Sequence, residues 1–253
     1  MKVRVLLIAC FALISHLAYA SHNNFNGPYV GIGLRVVHQS SKFTDTLTAD
    51  VPSSTIYIPM NKNGSGSANS LLGNLNAGYS KLINPAAYLA FEARINFDSL
   101  KSTTSINSAT TSGSTLVSQI NLSHTLKKLS PSFVVAFKPG ILLSPKTSIY
   151  GVVGTEVSKF KLSSQATFML LGSNIAASGS KSSTRYGLLL GAGINSYIYN
   201  NISMGLEYNY VNYGKIGTPN PTSTVPGTND TLSINSKMKV QTNSFIAKLT
   251  YHL

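Results

Sequence analysis

All the glutamates of this chain, Glu92, Glu156 and Glu207, fall on the polar phase of an alternating segment whose opposite phase carries no charge. The clearest case sets Leu89, Phe91, Ala93, Ile95 and Phe97 against Ala90, Glu92, Arg94, Asn96 and Asp98. A period of two is that of a β-strand, whose successive side chains point to opposite faces. A strand that keeps every charge on one side turns its uncharged face to lipid and its polar face inward. Because the hydrocarbon core offers no partner for backbone N–H and C=O groups, such strands cross it only as a closed ring, a transmembrane β-barrel.

The chain begins as a secretory signal would. Lys2 and Arg4 form a charged start, Val5 to Ile14 an apolar run, and Ala18-Tyr19-Ala20 an A-x-A cleavage site. The expected division is therefore a signal over residues 1–20 and one barrel over residues 21–253. Leu7-Ile8-Ala9-Cys10 also spells a lipoprotein-type box, but it leaves an apolar run too short for that route. The only cysteine, Cys10, leaves with the signal, so the mature chain has no thiol, disulfide or cysteine metal site. No apolar run after it approaches the ~20 residues of a membrane helix. The low charge content, 11%, with abundant Ser, Thr, Asn, Gly and Tyr, fits a barrel.

The alternation predicts eight strands of about ten residues, the length of a tilted crossing. They run over residues 29–38, 71–80 and 88–99, through Phe133, Val135 and Phe137, over residues 148–158, 185–196 and 202–213, and to the terminus. Short turns at Lys81 to Pro85, at Ser144-Pro145-Lys146-Thr147 and at Asn200-Asn201 alternate with four long Ser/Thr/Asn/Gly-rich connections. The latter, roughly residues 43–70, 100–130, 160–184 and 214–236, are expected as long extracellular loops, with both termini periplasmic. Leu116 to Leu129 alternates in part, so an extension of the fourth strand or an extra pair, ten strands in all, stays open.

Gly27-Pro28-Tyr29-Val30-Gly31-Ile32-Gly33 and the alternating terminal stretch Phe245, Ala247, Leu249, Tyr251, Leu253 resemble those of small Gram-negative outer-membrane barrels. That family includes the OmpA membrane domain, OmpX and the opacity-type surface antigens. The resemblance spans nearly the whole mature chain and implies an eight-stranded all-β barrel in the outer membrane. It also implies that Phe245, Leu249, Tyr251 and Leu253 form the signal read by the barrel-assembly machinery. Leu253 departs from the phenylalanine usual at that place. These motifs report fold and export; adhesion or resistance to host factors, roles carried by loops, is what the family adds.

On the inward phase lie Arg35, Glu92, Arg94, Lys138, Glu156, Arg185, Glu207 and Lys248. The interior of an eight-stranded ring is filled by its side chains, and buried charges there must pair or lose several kcal/mol each in desolvation. This predicts a closed polar plug that fixes strand register, with a narrow ion or solute path as the alternative.

The long connections and their flanks hold Lys42, Lys62, Lys101, Lys127, Lys128, Lys159, Lys161, Lys181, Lys215, Lys237 and Lys239 against Asp45, Asp50 and Asp230. A basic outer face suits lipopolysaccharide phosphates, and mobile lysine-bearing loops suit an anionic host-surface ligand. Nucleic acid is not an expected partner, because the basic residues follow no recognition motif. An enzyme acting on lipid A would need a hydroxyl, base and carboxylate together. By phase His38, with Ser40, faces lipid while Asp98 faces inward. His22, His124 and His252 are too scattered for a metal, and no cofactor motif occurs. Tyr208, Tyr210 and Tyr213, and at the other end Tyr197, Tyr199 and Tyr251, are expected in interfacial girdles. The reading is a monomeric surface barrel, structural or adhesin-like.

Overall fold

The computed structural model describes residues 25–50, 61–112, 115–170, 173–217, 219, 222–224 and 231–253. These are strand almost throughout: β1 (Gly27–Asp50), β2 (Asn61–Asn84), β3 (Ala87–Asn96), β4 (Leu100–Ser112), β5 (Thr115–Leu142), β6 (Thr147–Leu170), β7 (Ser173–Tyr199), β8 (Ile202–Gly217), β9 (Thr222–Thr224) and β10 (Thr231–His252). All pairings are antiparallel, in the order β1-β2-β3-β5-β6-β7-β8-β10, and β1 also pairs β10 from Tyr29↔His252 to Asp50↔Thr231. First and last long strands thus meet, and the sheet is barrel-like. The signal stretch, His22 and Asp230 lie outside the described residues.

β3 and β4 follow one another along the same partner, β3 beside residues 132–141 of β5 and β4 beside residues 115–128. Between them Phe97 to Ser99 leave the ladder, and β5 shifts register toward β6 between Leu129 and Phe133. Pro131 stands in that gap and has no N–H to give, which is a physical reason for the break. Leu116 to Leu129 extends β5, the first of the alternatives left open by the sequence.

The strands run far beyond the ten residues expected. β5 has 28 residues and β7 has 27, a contour of about 90 Å at ~3.3 Å per residue. Most of the four connections expected as long loops is therefore strand. In these segments the polar phase is Ser, Thr, Asn and Lys, and the apolar phase is sparse: Phe43 on β1, Leu122 and Leu126 on β5, Phe160, Leu162 and Ala166 on β6, Ile216 on β8, all buried. Each strand alone reads as loop; pairing supplies the rest of the core.

The chain consequently turns inside out along its length. Near the short turns, Val30, Ile32, Leu34, Val36, Phe91, Val135, Leu188 and Phe245 are exposed on the outer face, while Glu92, Arg94, Lys138 and Glu207 are buried within. Toward the far end the outer face carries His38, Lys42, Lys101, Lys127 and Lys161, and the interior holds Phe43, Leu126, Phe160, Met238 and Val240. The first zone is made for an apolar surrounding, the second for water.

Candidate functional site

Two ion-pair networks fill the interior of the first zone. In the lower one, nearer the short turns, β3 supplies Glu92 and Arg94, β5 Lys138, β8 Glu207 and β10 Lys248. Arg94 Nη2 lies 2.6 Å from Glu92 Oε1 and 2.5 Å from Glu207 Oε1. Lys138 Nζ lies 2.5 Å from Glu92 Oε2 and 2.9 Å from Glu207 Oε2. Lys248 Nζ donates to Glu207 Oε2 at 2.5 Å and stands 3.6 Å from Glu92 Oε2. Tyr150 and Asn209 donate to Glu207 as well, at 3.1 and 2.7 Å. Glu207 is the hub, joining three cations from three strands.

In the upper network β1 supplies Arg35, β5 Lys128 and β6 Glu156, with Asp98 at the break between β3 and β4. Arg35 spans Asp98 at 2.8 Å and Glu156 at 3.3 Å, and Lys128 Nζ spans the same carboxylates at 2.5 and 2.6 Å. Ser132 donates to both. Two cations face two carboxylates, and the set is neutral. Ions desolvated this deeply cost several kcal/mol each unless matched by such pairs.

Above the upper network a third polar group crosses the interior. His124 on β5 bonds Ser164 of β6, its cross-strand neighbour, at 2.9 Å through Nδ1, and Asp45 of β1 at 3.0 Å through Nε2. The order of groups is that of a nucleophile, base and carboxylate. Here, however, Ser164 and His124 are buried, and Phe43 stacks on the imidazole at 4.9 Å. The arrangement ties opposite walls together. His38 faces outward and bonds Asn69 at 2.6 Å, whereas Asp98 lies inside with Arg35 and Lys128. Among the described residues, no three His, Cys, Asp or Glu are grouped to hold a metal.

At the short-turn end the interior is capped by aromatic rings. Phe25 stacks on Tyr88 at 5.5 Å and meets Tyr197 edge-on at 4.8 Å, and Tyr197 packs on His252 at 4.7 Å.

Of the residues expected inside, Arg35, Glu92, Arg94, Lys138, Glu156, Glu207 and Lys248 are joined by the two networks. Arg185 is not. It is half-buried in the far zone, forms no ion pair among the described residues, and has its guanidinium directed toward Gly217. Lys128 and Asp45, expected on the outer face, are buried inside. The signal was present in their phase: Lys128 alternates with Leu126 and His124, and Asp45 with Phe43. Reading the segments as loops discarded it. Tyr197 and Tyr213, expected in girdles, also turn inward, Tyr213 against Phe160 at 4.9 Å, while Tyr199, Tyr208 and Tyr251 are exposed on the outside.

The outer face has its own pattern. Lys101, Lys127 and Lys161 are direct cross-strand partners on β4, β5 and β6, and Lys42, Lys239 and Lys215 on β1, β10 and β8. All six are exposed. The described carboxylate side chains, Asp45, Glu92, Asp98, Glu156 and Glu207, are all buried inside. Like charges directly opposite one another destabilise a sheet.

Comparison with known proteins gives the setting. A search of curated proteins finds no match. Among solved structures, the chain is similar to Ail, the attachment invasion locus protein of Yersinia pestis (14% identity, 89% of this chain and 99% of that one, TM-score 0.35). It is also similar to the outer membrane protease OmpT of Escherichia coli (10% identity, 94% and 100%, TM-score 0.46) and to the CymD monoaromatic hydrocarbon channel (11% identity, 90% and 89%, TM-score 0.34). The model of the outer membrane protein beta-barrel domain matches residues 6–252. This chain belongs to that family of Gram-negative outer-membrane proteins, and its place is the outer membrane.

Proposed function

We propose that the chain, freed of residues 1–20, is a monomeric eight-stranded transmembrane barrel with a closed interior, acting in envelope structure or surface interaction through its basic outer face. β3 and β4 count as one interrupted strand, and the termini and short turns lie in the periplasm. What carries the reading is the interior itself: both networks are sealed within the apolar-faced zone, and aromatic rings cap its periplasmic end. The far zone stands outside the cell as a rigid extension of the sheet, where mobile loops were expected. Its lysine ladders supply the chemistry for lipopolysaccharide phosphates or an anionic host-surface ligand. Phe245, Leu249 and Tyr251, exposed along β10, and Leu253 just past its end, form the segment offered to the assembly machinery.

A narrow solute path is the second reading, and one observation favours it. The wall formed by β10, β1 and β2 carries Thr242, Ser244, Gln39, Asn74 and Asn76, buried groups with polar atoms that no protein group satisfies. Such groups hold water, and they face the charged wall across the lumen. Single-channel conductance in planar bilayers, with Glu92→Gln beside the native chain, decides between the readings. Silence from folded protein upholds the closed plug. Stable steps whose size changes with Glu92→Gln overturn it in favour of a path.

A further inference from the structure

The lower network does not balance. Arg94, Lys138 and Lys248 are three cations, all buried, and among the described residues Glu92 and Glu207 are the only carboxylates bonded to them. The upper network is neutral and supplies no surplus anion. One positive charge is left in a desolvated interior, a costly condition that either a bound counter-ion or the loss of a proton relieves.

The place for a counter-ion is present beside that charge. Between the lower network and the aromatic cap lies a cavity of about 40 Å³, lined among others by Lys138, Lys248, Glu92, Tyr29, Tyr150 and His252. One water needs about 10–15 Å³, so a monatomic anion with a water fits and a bulky organic anion does not. Lys138 and Lys248, at 4% and 6% exposure, are the most accessible charged members of the network, and both line this cavity. An ammonium has three N–H groups. Lys138 directs two at Glu92 and Glu207; Lys248 directs one at Glu207, with Glu92 at 3.6 Å. Lys248 also reaches the Tyr150 hydroxyl, so by count each ammonium has one N–H outside these bonds. One carboxylate, Glu92, stands in the same wall as the two ammonium groups, which leaves that wall with one net positive charge.

We propose that this cavity binds a small monovalent anion of the halide class, which completes the charge balance of the plug between Lys138 and Lys248. The proposal stands apart from what the lysine-lined exterior binds. It accounts for an interior carrying one more cation than its carboxylates match, in a family setting where the ring must stay closed and hydrogen-bonded.

The test is the unfolding midpoint of the purified full chain in detergent, in sodium chloride, bromide or gluconate at equal ionic strength, beside Lys248→Met. Chloride and bromide are expected to raise the native midpoint in a saturable way that gluconate does not reproduce. In Lys248→Met, whose network is neutral, that halide increment is lost. Equal midpoints in chloride and gluconate, or an undiminished increment in Lys248→Met, overturn the proposal. Should Lys248→Met fail to fold, anomalous diffraction from native crystals grown in bromide decides. A peak between Lys138 and Lys248 upholds the site, and a featureless cavity overturns it.

Discussion

Lys128 Nζ lies 2.6 Å from Glu156 Oε1, with both side chains at 0% exposure. Its neighbour Lys127 points the opposite way, into solvent, where it pairs across the strands with Lys101 and Lys161. Two adjacent lysines thus serve different ends, one in the buried upper network and one on the surface, because a strand alternates its faces.

Their substitutions should separate accordingly. Lys128→Met leaves Asp98 and Glu156 with Arg35 alone, and breaking a buried pair costs about 3–5 kcal/mol. Lys127→Met, at an exposed site, should stay within about 0.5 kcal/mol of the native chain. Denaturant unfolding in detergent micelles measures both. Similar losses at the two positions would mean that Lys128 is not held as described.

Two glycines make a second contrasting pair. A Cβ at Gly154 would stand in contact with the Val135 carbonyl oxygen and 2.8 Å from Ala136 Cα, backbone atoms that cannot step aside. At Gly73 it would meet nothing within 4 Å. Gly154→Ala should therefore lower the yield of folded, heat-modifiable protein sharply. Gly73→Ala should be neutral or stabilising by up to about 1 kcal/mol, through the unfolded chain.

The Asp45–His124–Ser164 bridge should act locally. His124→Ala removes both hydrogen bonds and leaves the Asp45 carboxylate buried, a loss of about 1–3 kcal/mol. The expected result is faster amide hydrogen exchange in the far zone of β1, β5 and β6. Exchange around Glu207 and Lys248 should stay unchanged. Uniform acceleration through the whole sheet would show that the two zones are one cooperative unit.

On the exterior, Lys101, Lys127 and Lys161 converge on one patch. A lysine near an anionic surface contributes about 1 kcal/mol, so replacing all three by glutamine should weaken binding of purified lipopolysaccharide about 100-fold. Replacing Lys81 and Lys146, which sit at the short-turn end, should not. Isothermal titration of the detergent-solubilised protein reads the difference. Equal affinities would remove the ladder from the surface role.

Much of this molecule was legible in the chain. The alternation around Glu92 and Glu207 placed the uncharged face outside and the charges inside, because a period of two assigns faces wherever one side must meet lipid. The inward positions of Arg35, Glu92, Arg94, Lys138, Glu156, Glu207 and Lys248 followed from the same phase. The reach of the strands did not. Residues such as Ser163 to Thr167 carry too few apolar groups to declare a strand alone, and they become one through partners on β5 and β7 that are distant in sequence.

Pairing likewise lay beyond the sequence. Phase can send Lys128 and Asp98 inward, but only the folded, barrel-like sheet sets them beside Arg35 of β1 and Glu156 of β6. The sequence by itself determined the face of the side chains along each regular strand, a local property of an extended backbone, though not at irregularities such as that between Tyr197 and Tyr199. The tertiary structure alone decided which charges meet, which stay unmatched, and how far the sheet extends, since each depends on register between strands that the chain brings together only on closing.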